Sequence, residues 1–188
     1  MEIPTEKKMM ISFTGAIGVG KTQLINSLVN GSYSTQYEPT IQETHSMKMV
    51  QGNNIFALTL VDTSGSPDYA KLVSTAIGSS DCVVVCYCPY VPKTYERVVQ
   101  VVNDVREIGD DIPIIVVATK MDLKDDKNIL DKIGKQKIRL TKDVKAELKK
   151  KKISAFFEIS VLSGDSFKVI LENCIKFTQK SSLWKKKN

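Results

Sequence analysis

Gly15-Ala16-Ile17-Gly18-Val19-Gly20-Lys21-Thr22 carries the densest chemistry in the chain. Its spacing fits G-x-x-x-x-G-K-[ST], a loop whose backbone N–H groups surround a phosphate. Such a cradle needs tight turns, which glycine accepts because it has no Cβ. Lys21 is placed to reach β- and γ-phosphates as a point charge, and the Thr22 hydroxyl to bind Mg²⁺. A helix starting at this loop points its positive end at the same anion.

Two other polar groups belong with that loop. Asp62 closes the apolar run Phe56-Ala57-Leu58-Thr59-Leu60-Val61. A carboxylate at a strand end can hold Mg²⁺, usually through water, beside Thr22. Thr119-Lys120-Met121-Asp122 follows the apolar run from Ile114 to Ala118. Guanine offers two adjacent donors, its N1–H and its 2-amino group, and one carboxylate accepts both. Adenine cannot supply them, and a carboxylate left unpaired by the wrong base is costly, so Asp122 would select guanine. The Lys120 stem can lie over the base plane.

These residues need a scaffold, and the hydrophobic pattern supplies one. Met9 to Thr14 reads as a strand and Gln23 to Val29 as a helix. Asn30 to Pro39 is a polar loop. Glu43 to Val50 and Ile55 to Val61 read as strands joined by a hairpin turn at Gln51-Gly52-Asn53-Asn54. A short helix follows from Tyr69 to Ala76. Cys82 to Cys88 is a strand buried on both faces, with Cys82, Cys86 and Cys88 on one of them. Tyr95, Val98, Val99, Val102 and Val105 mark a helical stripe, and Ile114 to Ala118 a further buried strand. Ile129, Leu130 and Ile133 lie at helical spacing, and Thr141 reads as the N-cap of a helix reaching Lys150. Ala155 to Ile159 is the last strand; Phe167, Ile170, Leu171, Cys174 and Ile175 mark the last helix. Alternating strands and helices predict a three-layer α/β fold. Its six-stranded sheet is mostly parallel, with one antiparallel edge pair and helices on both faces. Ligands of such sheets sit at the carboxyl ends of the strands.

The chain has 188 residues, enough for one domain with a sizeable core, expected over 1–180 with a tail at 181–188. No apolar run approaches a membrane span, and the polar first residues lack a signal-peptide core. The four cysteines, Cys82, Cys86, Cys88 and Cys174, read as reduced thiols in a cytoplasmic protein rather than a zinc site. His45 is the sole histidine, which leaves histidine-based catalysis little support. The net charge of +6 comes mostly from Lys149-Lys150-Lys151-Lys152 and Lys185-Lys186-Lys187. Neither run has the interleaved aromatics of a single-strand nucleic-acid binder, so no nucleic-acid partner is expected. The first run reads as a solvated lysine face.

Gly15 to Thr22, Tyr37-Glu38-Pro39-Thr40-Ile41, Asp62-Thr63-Ser64-Gly65, Thr119 to Asp122 and Glu158-Ile159-Ser160 together resemble the small GTPases of the Ras superfamily, along most of the chain. The resemblance implies a G domain that binds GTP or GDP with Mg²⁺ and hydrolyses GTP. It makes Tyr37 to Ile41 the first switch, with Thr40 joining Thr22 and Asp62 at the metal and touching the γ-phosphate. Gly65 would donate its N–H to the γ-phosphate. Ile17, Gly18, Val19, Gly20 and Gln23 would line the nucleotide. Tyr33 would pack against the guanine, and Ser160 with the Val161 backbone would complete the base pocket. Residues 123–138 resemble the insert of the Rho/Rac branch, and Thr119 is typical of that branch too. Effectors binding through Tyr37 to Glu43, an exchange factor and a monomeric state are expected on the same ground. A cytoskeletal or trafficking role rests on the family alone.

The chain also departs from the family. Ser66 stands where the family has the glutamine that orients the attacking water, and is too short to reach that water. Ile17 replaces a glycine beside the γ-phosphate and should crowd the space of an activating arginine finger, worth roughly 10³–10⁵ in rate. Lys21, Thr40 and Gly65 therefore remain as the catalytic set. Slow hydrolysis is expected. Val161 and Leu162 replace the usual Ala-Lys of the base pocket. Family members usually end in a Cys-a-a-X box, whereas no cysteine follows Cys174, so no lipid anchor is expected at this terminus. Trp184 beside three lysines could touch an anionic membrane weakly, at about 1 kcal/mol per basic residue; a disordered solubilising tail is the alternative.

Three functions compete. One is a Rho-type switch with poor hydrolysis, and another an interaction protein holding its nucleotide as a fixed structural ligand. The third, a nucleoside or nucleotide kinase, needs a lid of grouped arginines, and Arg97, Arg106 and Arg139 are scattered.

Overall fold

The computed structural model describes residues 6–31, 39–134, 138–163 and 167–187. Tyr33, Tyr37 and Glu38, assigned above to the base and the first switch, lie outside them, as do residues 135–137 of the insert.

The described residues form a six-stranded sheet in the order β2-β3-β1-β4-β5-β6. The strands are β1 (Glu6–Gly15), β2 (Gln42–Gln51), β3 (Asn54–Thr63), β4 (Cys82–Tyr87), β5 (Ile114–Ala118) and β6 (Ala155–Glu158). β2 and β3 pair antiparallel; the other neighbours pair parallel. The hairpin closes with Gln51 opposite Asn54, as the turn residues between them predict.

The β4 run Cys82-Val83-Val84-Val85-Cys86-Tyr87 is buried throughout, because helices cover both faces of the sheet. On one side α1 (Lys21–Asn30) and α6 (Lys168–Thr178) pack Leu24, Ile25, Ile170 and Leu171 against Cys82, Val84 and Cys86. On the other, α2 (Ala70–Gly78), α3 (Lys93–Ile108) and α5 (Thr141–Leu148) pack Val73, Val98, Val102 and Val144 against Val83, Val85 and Tyr87. The α3 stripe is wider than expected: Val101 is fully buried, while Val99 is only partly so. The short α4 (Lys127–Ile133) in the insert buries no residue.

Four local expectations need correction. β3 runs on through Thr63, so Asp62 is its penultimate residue, still paired to Phe13 of β1 and Glu43 of β2. Cys88 lies one residue past β4 rather than on the face shared by Cys82 and Cys86; its amide donates to the Thr94 hydroxyl oxygen at 3.0 Å. Thr141 is the first helical residue of α5, and Leu140 holds the cap position without a side-chain bond. Helix α5 stops at Leu148, and Lys149–Lys151 continue as a 3₁₀ turn.

The tail is not a solvated strand of chain. Ser182–Lys187 form a seventh helix, α7. Trp184 is 4% exposed and joins the α1/α6 core cluster, so its indole is unavailable to a membrane. Lys187 pairs with Asp81 at 3.0 Å, and the other oxygen of Asp81 accepts from the Met10 amide at 2.8 Å. Among the described residues no helix is long and apolar enough to cross a membrane.

Candidate functional site

The parallel register brings Gly15, Cys86, Ala118 and Asp62 to one end of the sheet. The loop from Gly15 to Gly20 turns there into α1. Gly18 (φ 70) and Gly20 (φ 98) take left-handed backbone, and a Cβ at either would meet nothing within 4 Å. Alternation of this kind folds successive amides into a concave nest for an anion, and the space above it is open. Gly20 also accepts from the Leu24 amide at 3.0 Å, so α1 grows directly out of the loop. Val19 faces inward, fully buried in the core.

Lys21 is 6% exposed and bends back over the loop. Its Nζ donates to the carbonyls of Gly15 at 3.2 Å and Ala16 at 3.0 Å. Burial pulls its pKa below the ordinary lysine value, opposed by Cys86 and Asp62 and aided by Arg97. A desolvated ammonium held only by neutral carbonyls is a strong receptor for a multiply charged anion.

Asp62 is fully buried. Its Oδ2 accepts from the Thr22 hydroxyl at 2.5 Å, and Thr22 Oγ1 lies 3.1 Å from Thr40 Oγ1. Its Oδ1 has no hydrogen-bond partner among the described residues. Desolvation raises the Asp62 pKa, while the Thr22 bond and Lys21 lower it. An orphaned, desolvated carboxylate oxygen beside two hydroxyls is costly unless a cation completes it. The donors are hard oxygens, the set that Mg²⁺ prefers. Thr22, Thr40 and Asp62 therefore fit that ion.

A cleft of about 670 Å³ lies over these groups, lined among others by Ile17, Gly18, Gly20, Lys21, Thr22, Gln23, Thr40, Gly65, Ser66 and Lys120. Gly65 sits hard against the loop: a Cβ there would stand 2.4 Å from the Ile17 nitrogen and 2.5 Å from the Ala16 carbonyl carbon. Glycine at 65 is set by that close approach. Ser66 begins the next turn, Pro67–Tyr69, as its N-cap. Its hydroxyl donates to Asp68 Oδ2 at 3.2 Å and accepts from the Asp68 amide at 3.3 Å. Ile17 stands 57% exposed on the cleft wall.

The cleft lining reaches Lys120, whose backbone is left-handed (φ 55), but not Asp122, Ser160 or Val161. Those three form a second group. The Ser160 hydroxyl donates to Asp122 Oδ1 at 2.5 Å, and the Met121 amide donates to the Ile159 carbonyl at 3.1 Å. Val161 packs partly on the core at the start of a 3₁₀ turn. The sequence reading missed the tie between the two groups: Thr119 Oγ1 donates to the Val19 carbonyl at 2.6 Å. Only its position beside the Lys120-Met121-Asp122 run pointed to it.

Comparison with known proteins agrees with this layout. Residues 10–180 match the model of the Ras family. The Rho-related protein racL of Dictyostelium discoideum is 31% identical over 176 residues, covering 92% of this chain and 89% of that protein. The Rho-related protein racC of Entamoeba histolytica is 26% identical over 178 residues, covering 93% and 91%. The chain belongs to the Ras family, as a GTP-binding small GTPase of its Rho/Rac branch.

Proposed function

We propose that the protein is a Rho-type switch that binds GTP and GDP with Mg²⁺, hydrolyses GTP slowly, and signals to effectors through the segment Tyr37 to Glu43. In this reading the nest of residues 15–20 and Lys21 hold the phosphates. Thr22, Thr40 and Asp62 hold Mg²⁺, which when bound neutralises charge on the β- and γ-oxygens. Asp122, with its second oxygen free of Ser160, accepts from guanine N1–H and the 2-amino group. Lys120 and Val161 flank the base, and the Gly65 amide faces the γ-phosphate. The protein is cytoplasmic, meets an exchange factor, and its basic tail adds a peripheral contact with an anionic membrane.

Slow turnover rests on one observation, the pairing of Ile17 with Ser66. The Ser66 hydroxyl is committed to Asp68 as a cap, and the branched Ile17 side chain occupies the cleft wall beside Gly65. Among the described residues, the position of the family's glutamine therefore offers no group free to orient a water. Single-turnover hydrolysis on GTP-loaded protein tests this. Bound GTP is expected to persist for hours; turnover at the ordinary rate of the family, or strong stimulation by a Rho-type activating protein, counts against it.

The engaged Ser66 hydroxyl also favours a second reading, a GTP-locked interaction protein with no hydrolysis. Nucleotide exchange separates the two. A switch releases labelled GDP and GTP and binds different partners in each form, whereas a locked protein does neither.

A further inference from the structure

Two lysine runs far apart in sequence, residues 149–152 and 185–187, lie at the same end of the fold. The first lies just ahead of β6, whose Ala155 pairs with Ile115 near the start of β5. That is the end of the sheet opposite the loop that follows Gly15. Arg106 of α3 fixes its backbone: Nε donates to the Lys151 carbonyl and Nη2 to the Lys152 carbonyl, both at 2.9 Å. Its Nη1 donates to the Ile112 carbonyl at 2.8 Å. The second run ends α7, which is seated on the same connection between α3 and β5. The Ser182 hydroxyl donates to the Asp111 carboxylate. Leu183 Cδ1 lies 3.5 Å from where a Cβ on Gly109 would stand. Both runs therefore adjoin the connection at residues 109–113.

Nearby carboxylates neutralise only part of this charge. Lys152 pairs with Asp110 at 2.9 Å and Lys187 with Asp81 at 3.0 Å. Lys149, Lys150, Lys151, Lys185 and Lys186 are exposed, and none has an ion-pair partner among the described residues.

We propose that this composite lysine face seats the protein on an anionic phospholipid bilayer, with both runs in contact rather than the tail alone. It rests on the tail contact proposed above and widens it to a surface built by two runs of the chain. Lysine ammonium groups are hydrated point charges on flexible stems, suited to a diffuse layer of headgroups. Arg106 is spent on carbonyls and the indole is turned into the core, so among the described residues neither offers this face the forked or stacking group that nucleic acids favour. Seating here turns the nucleotide cleft away from the membrane and leaves Thr40, Ile41 and Gly65 open to partners.

The test is co-sedimentation of the full-length GDP-loaded protein with phosphatidylcholine vesicles, with and without phosphatidylserine. Each lysine near an anionic surface multiplies partitioning by about fivefold. Wild type is expected on the phosphatidylserine vesicles only. The variant K149Q/K150Q/K151Q should lose roughly 100-fold in partitioning and K185Q/K186Q roughly 25-fold, both with GDP binding unchanged. Loss in K185Q/K186Q alone overturns the composite face and leaves the tail contact standing. Absence of wild-type binding overturns both. Displacement from vesicles by a nucleic-acid duplex that binds more tightly at the same salt overturns the membrane assignment.

Discussion

Thr119 donates to the Val19 carbonyl across 100 positions of sequence, and so fastens the loop of Asp122 to the loop of Lys21. The Tyr87 carbonyl, 3.0 Å away, is the alternative acceptor for the same buried hydroxyl. Thr119→Val keeps the volume and removes the bond, leaving the Val19 carbonyl short of a donor while the Tyr87 carbonyl keeps the Thr119 amide at 2.8 Å. Stability should fall by about 1–3 kcal/mol. Because the tie joins the base and phosphate ends, GDP and GTP should leave faster by similar factors. Release of a fluorescent nucleotide measures this, and an unchanged rate would show that the tie does not matter.

Asp62 makes a prediction about metal removal. Chelation of Mg²⁺ should speed nucleotide release from the wild-type protein, since Asp62 Oδ1 and the Thr22 and Thr40 hydroxyls lose the ion that they suit. Asp62→Asn keeps a partner for Thr22 but removes the anionic ligand. Its Mg²⁺ affinity should drop by at least about tenfold, the cost of losing even an outer partner of a metal ligand. Release from the variant should be fast with or without chelator. A chelator response like that of the wild type would place the ion elsewhere.

The phosphate-loop pattern and the strand Ile114–Ala118 were legible because each is local, whereas Asp62 drew its meaning from the distant phosphate loop and sits one residue short of the end of β3. Ser66 as a cap was legible in principle: serine followed by proline and aspartate is a helix-start signal. Resemblance to the family draws the eye to the glutamine that Ser66 replaces, and the cap signal is hidden behind it. Thr119 bonded to Val19, Arg106 gripping Lys151 and Lys152, and Trp184 in the core could not be read locally. The first two are set by partners 45 to 100 positions away, and the third by a core cluster that exists only once the domain has assembled. A tryptophan followed by three lysines has the composition of a solvated tail, and only the groove beside α6 decides otherwise. Thr141 was misread as a cap because its type fits N-caps, whereas the helix begins on it.

Ile17 and Ser66 predict an ordered rescue. Ser66→Gln alone should leave single-turnover hydrolysis near the wild-type rate, because Ile17 still fills the wall and the Pro67–Tyr69 turn loses a cap worth about 1 kcal/mol. The double variant I17G/S66Q should hydrolyse roughly 10²-fold faster, the lower range for a positioned group that handles a proton. Full rescue by Ser66→Gln alone would clear Ile17 of any part in the slow rate.

Gly65→Ala should separate the two nucleotides. A methyl there would stand 2.4 Å from the Ile17 nitrogen, so the segment 64–66 must withdraw from the phosphate loop. The γ-phosphate contact proposed for the Gly65 amide would go with it, and GDP uses no such contact. GTP affinity should therefore fall while GDP affinity holds, as read by competition against a labelled GDP. An equal loss for both would place the contact of residue 65 at the α- or β-phosphate.

Trp184 decides whether α7 is part of the domain. Trp184 is 4% exposed against the α1/α6 core, whereas Lys187 of the accompanying Lys187–Asp81 pair is 60% exposed and so adds little. The indole is therefore the largest buried anchor of α7, beside the Ser182 and Leu183 contacts. Trp184→Ala should cost about 3 kcal/mol, the lower end for truncating a buried tryptophan, because a terminal helix can detach instead of holding a cavity open. At about 2–4 °C per kcal/mol for a chain of this size, the melting shift is readily measured. The same residue reports on itself, being the single tryptophan of the chain. Its emission should be blue-shifted and shielded from a water-soluble quencher such as acrylamide, and should move to the red on unfolding. Emission already at the solvent-exposed wavelength in the folded protein, together with an unshifted melt for Trp184→Ala, would mean that α7 hangs free and that the two lysine runs are not held side by side.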